Sequence, residues 1–119
     1  MNIIKSSKEL INESGCFAHV VEVQGELDNS TSPELKGTID GILAGCHTNL
    51  IVDLNSVRFI DSTGLGVLIG ALKKIRESDR RLVLVCNVTQ ILSVFSITGL
   101  SKILTICKNL EEAEDALQK

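Results

Sequence analysis

Apolar positions along the chain follow two periods, and the alternation of those periods predicts the architecture. Leu50 to Leu54 and Leu82 to Cys86 are short, nearly continuous apolar runs, the pattern of strands covered on both faces in a parallel sheet. Phe17 to Val23 alternates apolar with other residues, and Ile3 to Leu10 reads as an edge strand. The Asn12 to Gly15 cluster between them supplies a turn, so the two form a hairpin. Leu65, Leu68, Leu72 and Ile75 recur at helical spacing with Lys73, Lys74, Arg76 and Glu77 as a polar face, which predicts a helix beginning near Ser62.

Local signals place the remaining elements. After a loop around Gly25 to Ser30, Thr31 or Ser32 can cap a helix with Pro33 in its first turn. Thr31 and Glu34 have capping-box spacing, and the helix runs to about Ala44 before Gly45. Thr89 is placed to cap a third helix carrying Leu92 and Phe95, and Gly99 can take the left-handed conformation past its end. Ile103 to Ile106 reads as a last short strand. Asn109 with Glu112 then caps a final helix whose apolar stripe is Leu110, Ala113, Ala116 and Leu117. The sum is an α/β single domain over residues 1–119, with a mixed, mostly parallel sheet of about four to five strands flanked by about four helices. Functional loops in such a fold lie at the carboxyl ends of the parallel strands, and Phe59 to Gly64 is such a place.

Composition narrows the function classes. A net charge of −3, with Lys and Arg interspersed among acids, leaves no basic face for a phosphate backbone, and nucleic acid is not an expected partner. Without Trp or Tyr there is no base-stacking platform, and Phe17, Phe59 and Phe95 read as core. The longest strongly apolar stretch, Leu65 to Leu72, is far short of the ~20 residues a bilayer span needs. Charged residues break up the N-terminus where a signal peptide needs an apolar core, so a cytoplasmic location with no membrane partner is expected. Cys16, Cys46, Cys86 and Cys107 lack C-x-x-C spacing and read as reduced, small apolar residues. Nothing gathers them with His19 and His47 into a metal site, so neither metal nor cofactor is expected.

The chemistry concentrates in F-I-D-S-T-G-L-G, Phe59 to Gly66. Two apolar residues lead into three polar ones and then into the small residues of a helical first turn. Ser62 has two compatible readings there. As an N-cap, its oxygen accepts a backbone N–H, a contribution of typically ~1 kcal/mol. As a phosphoacceptor, it places the added charge where the positive end of the helix dipole tolerates an anion. Asp61 beside it would sharpen any repulsion of an acidic or apolar partner surface.

Three segments in order carry a resemblance: G-E-L-D at Gly25 to Asp28, D-L-N-S-V-R-F-I-D-S-T-G-L-G-V-L at Asp53 to Leu68, and F-S-I-T-G-L at Phe95 to Leu100. Together they resemble the anti-sigma factor antagonist family, whose fold is the STAS domain, over about residues 15–117. The segment through Ser14 carries no such signature and is free to hold a specificity element. The resemblance implies a partner switch. The dephosphorylated antagonist binds an anti-sigma factor that is also a serine kinase, and so frees a sigma factor. The kinase phosphorylates the Ser after the Asp of D-S-[ST]-G, here Ser62, and a PP2C-type phosphatase reverses the step. ATP and metal then belong to the partners. Carried over residue by residue, Asp61, Thr63, Gly64, Leu65 and Gly66 border the phosphosite. Asp28, Asn29 and Ser30 join the kinase-binding face, although Asp28 reads equally well as a turn-closing carboxylate.

Two enzyme-like rivals are weaker. G-x-S-x-G fails at Ile60, and neither His19 nor His47 has spacing that implies contact with Ser62. An aspartyl-phosphate receiver built on Asp53 or Asp61 lacks both an acidic pair after the first strand and a late-strand lysine loop. The remaining alternative is a non-enzymatic scaffold or accessory STAS subunit of a stress-sensing or transport assembly, which the fold cannot distinguish from a switch.

Overall fold

The computed structural model describes residues 3–45 and 48–118. Five strands form one sheet in the order β1-β2-β3-β4-β5: Ile4–Asn12, Gly15–Leu27, Asn49–Ile60, Leu82–Val85 and Thr105–Cys107. β1 and β2 are an antiparallel hairpin, and every later pairing is parallel. The helices are α1, Ser32–Gly45; α2, Ser62–Glu77; α3, Thr89–Ile97; and α4, Leu110–Leu117, with a 3-10 turn at Leu100–Lys102 after α3. No helix among the described residues is long and apolar enough to cross a membrane.

Strand alternation splits the core into two layers. Val21, Val23, Leu50, Val52 and Leu84 point to one face, where Leu35 and Ile39 of α1, Leu68 and Ile75 of α2, and Ile91 and Phe95 of α3 cover them. Ala18, Val20, Ile51, Val83 and Val85 point the other way and meet α4 through Ala113. All four β4 residues are buried, which is why that segment reads as an uninterrupted apolar run.

The strands extend beyond their apolar signals. β2 continues through the Gly25 region to Leu27, and β3 runs past Leu54 to Ile60 through the polar pair Asn55 and Ser56. Register shifts between β2 and β3 absorb the mismatch there, and Asn55 is tied across strands, its side chain accepting from Asn87 N at 2.5 Å and donating to Lys108 O at 3.2 Å. The last strand starts two residues later than expected, because the 3-10 turn takes Leu100–Lys102 and leaves Ile103 exposed. Gly99 does adopt the left-handed conformation, with φ 79°.

Three expected caps resolve differently. Asn109 caps α4, accepting from Glu112 N at 2.8 Å, as its spacing predicts. Thr89 does not cap α3; it is the first helical residue, and Val88 precedes it without a side-chain bond. The Thr31–Glu34 capping box is not made either. Thr31 turns its hydroxyl back to Glu26 O at 2.6 Å, and Glu34 instead accepts from the N–H groups of Ile3 and Ile4, both at 3.3 Å, fastening the start of β1 to α1.

Phe95 is fully buried, but Phe59 is 49% exposed and is not core. Of two consecutive strand residues only one can face a given side, and Ile60 takes the inward position. The cysteines differ as well: Cys86 is buried, Cys107 partly so, and Cys16 is exposed, while Cys46 and His47 lie outside the described residues.

Phe95 sits under α3 against the sheet, so Phe95→Ala should open a cavity and lower unfolding free energy by about 3–5 kcal/mol. Urea unfolding with an unchanged m-value checks this.

Candidate functional site

Two loops meet at the carboxyl ends of β2 and β3, and each is folded by its own aspartate. Asp61 separates β3 from α2, with extended backbone at φ −111° and ψ −172°. One of its carboxylate oxygens accepts from Thr63 N at 2.9 Å, Thr63 Oγ1 at 2.5 Å and Gly64 N at 3.2 Å. Asp61, rather than Ser62, is therefore the N-cap of α2. Ser62 is the first helical residue, it is exposed, and no group among the described residues engages its hydroxyl.

Asp28 repeats the arrangement at the entry to α1. Its Oδ1 accepts from Ser30 N at 3.0 Å, Ser30 Oγ at 2.7 Å and Thr31 N at 3.1 Å. In both loops the carboxylate takes the N–H and hydroxyl two residues on and the N–H three residues on. The residue directly after the aspartate, Asn29 in one loop and Ser62 in the other, is left outside the clasp. Asp28 thus has the turn-closing role that its setting allows.

The loops are joined by backbone and by close packing. Asp61 N donates to Leu27 O at 3.1 Å, which pins the start of α2 to the end of β2. Gly64 is buried there. A Cβ on it would lie 2.8 Å from Leu27 Cγ and 2.9 Å from both Ile60 Cγ1 and Leu27 O, so only glycine fits without displacing the neighbouring strand. Leu65 is half-buried against the core, whereas Thr63 and Gly66 are exposed like Ser62. A hollow of about 330 Å³ lies beside the Asp28 loop, lined by Gly25, Glu26, Asp28, Ser30, Thr31 and Arg58.

The electrostatics are anionic and local. The hydroxyl of Thr63 is the main cause holding the Asp61 carboxyl below its ordinary value, with the Gly64 and Thr63 N–H groups adding to it; partial desolvation and the nearby Asp28 charge act the other way. Asp28 is lowered chiefly by the hydroxyl and N–H of Ser30. Both groups are ionised at neutral pH, and the N–H groups of Thr63 and Gly64 in the first turn of α2 are already committed to the Asp61 carboxylate.

Among the described residues, the groups that a rival chemistry would need lie away from Ser62; His47 is outside them. His19 pairs with Leu50 at the start of β3, and Ser62 follows that strand's far end, roughly 30 Å away at about 3.3 Å per residue. The His19 ring instead contacts Ser7 Oγ at 2.8 Å. Asp53 lies mid-strand, accepting from Asn55 N at 2.9 Å, because β3 continues seven residues beyond it. Among the described residues no three His, Cys, Asp or Glu side chains could hold a metal ion.

Arg58 lines the hollow beside the Asp28 loop, and Phe59, which reads as core in the sequence, is exposed next to it in β3, one residue before buried Ile60. Strand alternation across Phe59 and Ile60 was the available signal.

Comparison with known proteins converges on one family. The family model described as STAS domain matches residues 8–113. An anti-sigma-B factor antagonist of Listeria monocytogenes is 40% identical over 89 residues, covering 75% of this chain and 77% of that protein. Its namesake in Staphylococcus aureus is 34% identical over 91 residues, 76% and 84% of the two chains. The crystal structure of an anti-sigma factor antagonist from Mycobacterium paratuberculosis superposes with a TM-score of 0.80 at 26% identity, covering 100% of both chains.

Two predictions follow from the packing and the clasps. Gly64→Ala should destabilise by about 1–3 kcal/mol through overpacking on Leu27, whereas Gly66→Ala, whose Cβ enters open space, should be neutral or stabilising by up to about 1 kcal/mol. Chemical denaturation of both variants distinguishes them. Because the folded-state values of Asp28 and Asp61 are depressed, the stability they supply is present above the ordinary carboxylate value of 3.8 and lost as pH falls through the lowered values. An Asp28→Asn, Asp61→Asn double variant keeps the accepting oxygens but cannot titrate, so its melting temperature should fall less steeply below about pH 4.

Proposed function

The chain belongs to the STAS domain family, and from that premise we propose that it is an anti-sigma factor antagonist whose choice of partner is set by phosphorylation of Ser62. The partner bound by the unmodified form is an anti-sigma factor with serine kinase activity; a PP2C-type phosphatase restores that form. The reading assigns no bond-making chemistry to this chain, and the nucleotide and its metal reside on the kinase.

One observation carries the reading: the Ser62 hydroxyl is exposed and unengaged at the first position of α2, while Asp61 performs the capping. A residue needed as a cap would surrender a structural bond on modification, but Ser62 has none to surrender. The fold therefore tolerates a phosphate that the interface does not. The added ≈ −1.5 to −2 charges fall beside the ionised Asp61 and Asp28. Against a partner surface matched to the unmodified loop, like-charge juxtaposition costs several kcal/mol, and every 1.4 kcal/mol is tenfold in affinity.

The surface that meets the partner is formed by Asp28, Asn29 and Ser30 on one loop and by Asp61, Ser62, Thr63, Leu65 and Gly66 on the other. Gly64 acts from beneath, by setting their separation. Exposed Phe59, in the strand that leads into this loop, adds an aromatic side chain of a type enriched at interfaces.

Intact-mass and phosphopeptide measurement on the native protein, with phosphatase treatment, should find a single phosphate on Ser62 and none in Ser62→Ala. Ser62→Ala should bind the kinase constitutively, and Ser62→Glu at least tenfold more weakly, in a direct binding measurement. A Ser62 that stays unmodified in the presence of candidate kinases would move the assignment to a constitutive scaffold subunit.

A further inference from the structure

A second concave feature lies beside the phosphoacceptor loop, between α1 and α2. It is a groove of about 280 Å³ over the core residues Ile39 and Ala71, with half-buried Val67 at its side, left open because Gly66 and Gly70 carry no side chains. A Cβ at either glycine would meet nothing within 4 Å, so this side of α2 is open. Thr63 forms part of the lining, which brings the groove to within one residue of Ser62.

The rim carries an unequal set of charges. Asp40 accepts from Lys36 Nζ and from Lys74 Nζ, each at 2.7 Å, the second bond joining α1 to α2 across 34 residues of sequence. The hydrogen bonds from Lys36 and then Lys74 hold the Asp40 carboxyl below its usual range, so it is ionised at neutral pH. Two ammonium groups thus share one carboxylate, a net surplus of one positive charge over an apolar trough in a chain whose net charge is −3. Ammonium groups have three donors each, and one carboxylate leaves several of them to water.

From this combination we infer that the α1–α2 groove is a binding site for a small anionic amphiphile: a molecule with one singly charged head, such as a carboxylate, and an apolar body. The head completes the charge balance between Lys36 and Lys74 while the body lies along Val67 and the bare backbone at Gly66 and Gly70. The volume falls just below the roughly 300–1,000 Å³ usual for ligand clefts, which limits the body to a medium-length acyl chain or a single ring system. This site goes beyond the phosphorylation switch and does not depend on it, but an occupant contacts Thr63 and so touches the loop on which that switch operates.

The test uses the full chain with octanoate, below its micellar concentration, as the probe, and 1-octanol and octylammonium as controls of matched length. Amide shifts in ¹H–¹⁵N spectra should saturate with octanoate and concentrate at Gly66, Val67, Gly70 and Ala71, with octylammonium at least tenfold weaker. Gly70→Leu, which fills the trough, should abolish the response. Lys36→Gln with Lys74→Gln, both at exposed positions that leave the core untouched, should weaken octanoate at least tenfold and serves equally if the leucine variant does not fold. The site is refuted if octanol binds as tightly as octanoate, if the shifts are unsaturable or scattered over the surface, if either variant binds as the parent does, or if the groove proves covered by a second copy of the chain in solution.

Discussion

The contact on which this molecule turns is the approach of α2 to the end of β2. Asp61 N reaches Leu27 O, and Gly64 lets the helix settle on Leu27 and Ile60 at a distance no other residue allows. Everything at the carboxyl edge of the sheet follows from that approach. It fixes the first turn of α2, sets the spacing between the two aspartate-clasped loops, and aligns α2 beside α1 so that Lys74 reaches Asp40. The small residue does this from below the surface, through backbone geometry, and the exposed side chains inherit their positions from it.

Much of the architecture was legible because burial on both faces leaves an unmistakable trace. β4 is buried at every position and so reads as a pure apolar run, and α2 displays its core stripe at helical spacing. Boundaries were less legible where tertiary contacts replaced local chemistry. The polar pair Asn55 and Ser56 looks like the end of a strand, yet β3 continues because Asn55 is satisfied by Asn87 and Lys108, residues distant in sequence. Glu34 likewise has the spacing of a capping box, but the N–H groups of Ile3 and Ile4 claim its carboxylate.

The site divides in the same way. The D-S-T-G segment marks the helix start and the hydroxyls by composition alone, but which side chain caps depends on one φ/ψ pair, and the structure gives that task to Asp61. The likeness of the Asp28 and Asp61 clasps is hard to see in the sequence, since D-N-S-T and D-S-T-G share only the aspartate and the hydroxyl two places on. Of the Lys36–Asp40–Lys74 cluster only the Lys36–Asp40 half has a local signal, four residues apart on one helix; nothing local relates Lys74 to an aspartate 34 residues earlier.

The paired clasps also bear on how such a protein can diversify. Each loop is held by its aspartate through the second and third following residues, and the position directly after the aspartate contributes nothing to the hold. Asn29 and Ser62 are therefore free letters in otherwise constrained words. A change of side chain at either place would leave both clasps intact, and at Ser62 it would remove the proposed phosphoacceptor without loosening the loop that presents it.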